Sequence, residues 1–176
     1  MFFSLIEKRR SIRKFKALPV EKEKIEKIID AALRSPSSRG FNPWCFIVID
    51  QPELLQKLAM AKPHGANFLK DAPLGIVVCA DENRTDVWIE DTSIATIFIQ
   101  LAAEALELGS CWIQIRNRQH DELISAESYI RGVLAIPDNF KVESMIALGY
   151  PDEHKKAHSK ESLEMEKVFF NGFGKK

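Results

Sequence analysis

The chain has 176 residues, of which 45% are hydrophobic and 28% charged, a globular composition that excludes a disordered one. Its 25 basic and 25 acidic side chains cancel, which argues against a protein held on nucleic acid or a membrane surface mainly by charge. One domain over residues 1–176, with a sizeable core, is expected at this length.

In chain order, Ser4-Leu5-Ile6-Glu7 has capping-box spacing and predicts a short helix opening at Ser4, with Lys8-Arg9-Arg10 in its last turn. After Pro19, Ile25, Ile28, Ile29, Ala32 and Leu33 share one face at helical spacing, and Ser35-Pro36-Ser37-Ser38-Arg39-Gly40 ends that helix in a loop. Trp44 to Ile49 is short and nearly all apolar, which predicts a strand buried on both faces. Pro52 begins a helix to about Ala61, and Leu74 to Ala80 is a second buried strand. The longest helix runs from about Val87 to Leu108, with Gly109 in the position of a left-handed C-terminal cap. It is apolar on most of its circumference, so it lies either at the centre of the domain or in a subunit interface. Cys111 to Ile115 is a third strand, Ser125 caps a short helix ending near Ala135, and Val142 to Leu148 is a fourth strand closed by Gly149-Tyr150-Pro151. The polar tail turns apolar at Val168-Phe169-Phe170, a tip that needs its own core or a neighbouring subunit to lie against. Four strands and about five helices make an α/β or α+β layered domain, and the pattern leaves the strand directions open.

Several kinds of chemistry lack their signals. The GxxxxGK[ST], GxGxxG and HExxH patterns are absent. His154 and His158 have the spacing of two ligands on a helix face, but they lie among lysines with no third ligand nearby, so a solvated tail and no metal are expected. Cys45, Cys79 and Cys111 are too few for a disulfide framework, and each lies in an apolar run, which reads as a small buried hydrophobe in a reducing compartment. The N-terminus has its apolar residues before its charges, unlike a secretory signal, and no apolar stretch approaches the ~20 residues of a membrane span. A cytoplasmic protein is the expectation.

Four stretches remain. Arg9-Arg10-Ser11-Ile12-Arg13-Lys14-Phe15 is a solvated basic turn or an anion site. In the second case guanidinium forks and a hydroxyl match phosphate oxygens, and alternation puts Arg9, Ser11 and Arg13 on one side. Ser35 to Trp44 is a polar loop before a buried strand, either a connector or a ligand-bearing loop. Gly109 to Ile115 holds Trp112, a core residue or a stacking platform. Gly149-Tyr150-Pro151 leads to Lys155, Lys156 and Lys160, a solvated face or a phosphate clamp.

Taken together, RRSIRKF, SPSSRGFNPW, LAAEALELGSCWI and ALGYP with its basic tail resemble the nitroreductase family of FMN-dependent oxidoreductases almost from end to end, in a compact form. The resemblance implies an α+β fold of three α/β/α layers around a mixed, mostly antiparallel sheet, in a homodimer with FMN at the subunit interface. It implies hydride transfer from NADH or NADPH through flavin N5 to a nitroaromatic, quinone or similar conjugated acceptor, in ping-pong order. A flavin-binding redox-sensing module with little turnover is the alternative. Arg9 and Ser11, with Arg10 between them, match positions that hold the FMN phosphate and ribityl chain, and Arg13 matches a cation at the pyrimidine edge of the flavin. Pro36, Ser37, Ser38 and Gly40 match a loop that reaches the other subunit's flavin, although the family often has Asn at Gly40 and Gln at Asn42. Gln114 and Ile115 match the strand end whose backbone N–H groups approach flavin N5 and O4. Lys156 and Lys160 match cations that close on the phosphate, and Asn67 and Lys70 are candidates for the pair that touches the pyrimidine ring. No catalytic side chain is implied, since the flavin carries the chemistry.

Overall fold

The computed structural model describes residues 2–175. Its strands are β1 (Trp44–Ile49), β2 (Leu74–Asp81), β3 (Gly109–Gln114) and β4 (Phe140–Gly149), and its α-helices are α1 (Phe2–Lys8), α2 (Lys22–Leu33), α3 (Pro52–Ala59), α4 (Trp88–Ala105) and α5 (Ala126–Leu134). The sheet has the order β1-β2-β4-β3, and all three pairings are antiparallel. Between Val78 and Cys79 the register shifts, so Glu143 on β4 is an extra residue, as in a β-bulge.

The two faces of the sheet carry separate cores. On one, Ile28 and Ala32 of α2 and Ile99 and Ala103 of α4 pack on Leu74, Ile76, Ile146 and Leu148. On the other, Leu55 and Leu58 of α3, Ile130 of α5 and Leu69, in the turn before β2, pack on Val77, Met145 and Ala147. The alternation along β2 and β4 thus feeds two helical layers, giving a three-layer α+β domain.

Local signals misplace several details. Trp44 to Ile49 is not buried on both faces: β1 is an edge strand, and Cys45 and Val48 are exposed. Cys45 is therefore not the buried hydrophobe expected from its apolar run. Leu33 is 59% exposed because it sits a further step round α2 from the buried Ala32. The first helix begins at Phe2, so Ser4 lies inside it rather than at its cap, and it ends at Lys8, leaving Arg9 and Arg10 beyond.

Gly109 is not a helix cap. Helix α4 ends at Ala105, Glu107 takes the left-handed conformation (φ 63°), and Gly109 opens β3. Its lack of a side chain serves a close approach, since an added Cβ would stand 2.9 Å from the Cβ of Ile12.

Helix α4 buries Ala95, Thr96, Ile99 and Ala103 against the sheet and exposes Ile94, Ile97 and Phe98. Helix α1 packs against α4 and exposes Phe2, Phe3 and Ile6. No helix among the described residues is long and apolar enough to cross a membrane.

Candidate functional site

The basic segment leaves α1 and runs past the start of β3. Ser11 forms a parallel bridge with Ser110, and the Ile12 N–H donates to the Ser110 carbonyl at 2.9 Å. The chain after β4 returns along its other side. The Lys16 N–H donates to the Tyr150 carbonyl at 2.9 Å, and the Asp152 N–H donates to the Lys14 carbonyl at 2.9 Å. Glu153 accepts the Arg13 N–H at 2.5 Å and the Lys14 N–H at 3.3 Å. The first of these holds its carboxyl below the usual carboxylate range.

These contacts divide the cations into two groups. The Arg10 guanidinium donates to the Lys156 carbonyl, and the Lys155 ammonium donates to the Ser11 carbonyl at 2.6 Å while pairing with Glu153 at 3.3 Å. Both side chains are occupied in pinning the tail to the segment. None of the ion pairs among the described residues uses Arg9 or Arg13. The Arg13 guanidinium lies 5.7 Å from the centroid of the Phe68 ring. Burial pushes the Cys111 thiol up, while Arg13, the Ser11 hydroxyl and Lys155 draw it down, so these three groups converge on one point of β3. Arg9 is within charge range of Glu104 on α4, opposing the upward push of burial on that carboxyl.

Phe68 belongs to a 3-10 turn, Asn67–Asp71, so its contact with Arg13 sets that turn against the Arg13 side chain. Lys70 instead lines a separate depression with Phe15, Asp50 and Asp71. The Lys62 ammonium donates to the Gln114 carbonyl at 2.9 Å, and burial, aided by Arg118, pushes its pKa down. Lys62 and Asn67 line a shared depression of about 540 Å³. Ser11 thus stands beside Ser110 near the start of β3 and Lys62 at its last residue, Gln114, about 13 Å away at the rise of an extended strand, and Asn67 shares the Lys62 depression. Sequence reasoning missed Lys62; its signal was a lone lysine directly after the apolar run Leu58 to Ala61.

The Gln114 side chain accepts the Trp112 indole N–H at 3.0 Å and donates to the Arg116 carbonyl at 3.0 Å and the Glu143 carboxylate at 3.5 Å. Ile115 lies one residue past β3, with its side chain wholly buried in the core and its N–H donated to the Glu143 carbonyl at 3.2 Å. Lys156 and Lys160 are exposed. Lys155 is the lysine that reaches the segment, and Lys160 stands farther along in a one-turn 3-10 helix.

The Pro36–Gly40 loop lies elsewhere. It precedes β1, at the opposite edge of the sheet from β3, about 14 Å away at the usual strand spacing. Its start is at the sheet end that carries Gln114, not the end that carries Ser11. The Ser37 hydroxyl donates to the Asn42 side-chain oxygen at 2.8 Å and accepts the Asn42 N–H at 2.9 Å. The Ser38 N–H donates to Asp91 at 2.8 Å. Arg39, Gly40 and Asn42 all take positive φ, a tight reversal that Gly40 makes without strain. Pro36 is exposed. Within one chain the loop and the basic segment do not meet. His154 and His158 are exposed, and among the described residues no three or more His, Cys, Asp or Glu form a group that could hold a metal ion.

Known proteins match this arrangement over most of its length. The family model described as "Nitroreductase family" matches residues 6–62 and 59–150. The inferred NADH dehydrogenase/NAD(P)H nitroreductase of Archaeoglobus fulgidus is 40% identical over 155 residues, 86% of this chain and 86% of that one. Its namesake from Methanothermobacter thermautotrophicus is 40% identical over 85% of this chain and 76% of that one. The solved FMN-dependent nitroreductase of Clostridium difficile superposes with a TM-score of 0.96 and is 52% identical, covering 97% of this chain and 99% of that chain. With a shared fold, a shared sequence and a basic segment set against the third strand, the chain belongs to the nitroreductase family.

Proposed function

We propose that this protein is an FMN-dependent oxidoreductase. It moves hydride from NADH or NADPH to a nitroaromatic, quinone or similar conjugated acceptor in ping-pong order, as a homodimer with its cofactor sites at the subunit interface. The observation that carries this reading is the pair of guanidinium groups, Arg9 and Arg13, that flank Ser11 and enter none of the ion pairs among the described residues. Cations held on an ordered segment outside any close ion pair suit a phosphate, which guanidinium forks grip through paired hydrogen bonds. The Clostridium difficile relative, 52% identical, is named as FMN-dependent, which supports the same cofactor here.

The donor set fits FMN. Arg9 and the Ser11 hydroxyl would take the phosphate and ribityl chain, with Arg10 and Lys155 holding the tail closed behind them. Arg13 would set positive charge beside the ring system, where negative charge develops on reduction. Asn67 and Lys62 would add polar groups from their shared depression, and Lys62 fixes the Gln114 carbonyl, keeping the end of β3 in place. The cofactor supplies the hydride chemistry when bound, so the chain needs no acid–base pair of its own.

The dimer is supported by two features. The Pro36–Gly40 loop cannot join the basic segment of its own chain across the sheet, which suits a loop that serves the partner's site. The α1/α4 face leaves Phe2, Phe3, Ile94, Ile97 and Phe98 exposed, an apolar patch of the kind an interface covers.

Absorbance of the purified protein, followed by identification of the chromophore released on denaturation, tests the reading. FMN is expected, with its oxidised band bleached anaerobically by NADH or NADPH and with parallel double-reciprocal lines. A colourless protein that takes up no FMN would overturn the function, and intersecting lines would overturn the ping-pong order.

A further inference from the structure

Cys45 and Cys79 are far apart in sequence and lie in different strands, yet the register sets them directly opposite each other on the β1–β2 ladder. Residues opposite one another in an antiparallel pair project to the same face of the sheet. The Cys79 thiol is already turned toward β1, donating to the Cys45 carbonyl at 3.5 Å. Cys45 is exposed on the edge strand, and Cys79 is buried behind it. We infer that Cys45 and Cys79 are a redox pair that hydroperoxides convert to a reversible cross-strand disulfide.

The two positions divide the chemistry. Cys45 is the sulfur that meets solvent; partial burial pushes its thiol up and Arg84 beside it draws it only partly back, and the Arg84 guanidinium also donates to the Asn42 carbonyl at 3.3 Å. Burial pushes the Cys79 thiol up to about 12, so it is a poor first nucleophile. The Cys45 thiolate attacks hydrogen peroxide. An S–O bond forms, the O–O bond breaks, and hydroxide leaves, giving a sulfenic acid on Cys45. The Cys79 sulfur then attacks the Cys45 sulfur, the S–S bond forms as the S–O bond breaks, and the departing hydroxide takes the Cys79 proton to become water. Two thiols lose two electrons to one peroxide, which ends as two waters.

Geometry makes the bond reversible. Cβ atoms of opposed antiparallel residues stand about 4.5–5.5 Å apart, against about 3.5–4.5 Å across a disulfide. Closure therefore draws β1 inward, which an edge strand paired on one side only can follow. A disulfide under such tension, with one sulfur open to solvent, is readily reduced by thiols.

The test uses the full chain treated with hydrogen peroxide, alkylated after denaturation and digested with trypsin, which puts the three cysteines in separate peptides, 40–57, 71–84 and 85–116. A 40–57/71–84 cross-link that dithiothreitol removes is expected, with Cys111 alkylated throughout. In Cys79→Ser the sulfenic acid on Cys45 should persist and be trapped by dimedone, and Cys45→Ser should show neither product. Sulfinic or sulfonic acid on Cys45 with Cys79 still free to alkylate would overturn the inference, and so would a Cys45–Cys45 link between two chains.

Discussion

Asp91, in the first turn of α4, accepts the Ser38 N–H at 2.8 Å with one carboxylate oxygen and keeps the other buried without a partner among the described residues. A helix N-terminus tolerates such a charge, because its dipole favours an anion there. The contact ties the Pro36–Gly40 loop to the helix that carries the exposed apolar face. Asp91→Ala should leave the Ser38 N–H unsatisfied and cost about 1–3 kcal/mol in urea unfolding, with faster tryptic nicking after Arg39. Asp91→Asn, which keeps an acceptor, should recover part of both. Equal nicking of Asp91→Ala and wild type would show that the loop is held by something else.

Arg13 and Lys14 are adjacent cations with different surroundings. The Arg13 guanidinium stands by Ser11, Phe68 and Cys111, whereas Lys14 is exposed and meets the tail through its backbone. Arg13→Ala should weaken FMN binding by about 1.5–3 kcal/mol, the scale of a hydrogen bond to a charged group, and Lys14→Ala should change it little. Fluorescence titration of the apoprotein with FMN checks both, and equal affinities would remove Arg13 from the site.

The bulge residue Glu143 gives a pH dependence with a definite sign. Burial pushes its carboxyl up, and Arg116, Ser93 and Gln114 only partly offset this. At low pH both folded and unfolded chains hold the proton and the burial penalty is absent. As pH rises through the ordinary carboxylate range the unfolded chain releases its proton first, so stability falls until the folded carboxyl also titrates. Glu143→Gln should remove this decline and raise Tm at neutral pH. Calorimetry from roughly pH 4 to 8, upward from the ordinary carboxylate range, reads it. A parallel pH profile in the variant would contradict the assignment.

The tail supplies a test of assembly. Val168, Phe170 and Phe173 are exposed in the single chain, beyond the part of the tail that Arg10 and Lys155 pin. Deleting residues from Val168 onward should lower dimer stability and FMN content together. Sedimentation that shows an unchanged dimer with full flavin would separate the tail from the interface.

Much of the architecture was legible locally. Leu74 to Ala80 is all apolar because β2 is covered by a helical layer on each face, and Ser125 caps α5 by accepting the Ser128 N–H at 3.0 Å. The basic segment, Gln114 and the Ser37–Ser38 loop stood out as chemistry without an obvious structural duty. The choice between neighbouring lysines was not legible. Lys155 faces Ser11 and Lys156 does not, because the backbone path after Pro151 is set by hydrogen bonds to Lys14 and Lys16 from the far end of the chain.

Periodicity reports how one segment divides between apolar and polar surroundings, and that was enough to find the elements of this protein and the segments with spare polar groups. It carries no information on which segments become neighbours. That β1 is an edge, that Gly109 makes room for Ile12, that Cys45 meets Cys79, and that the Ser37–Ser38 loop stands across the sheet from Arg13 were decided by the strand order β1-β2-β4-β3. Strand order depends on packing two helical layers onto one sheet, a property of the whole chain that no local window contains.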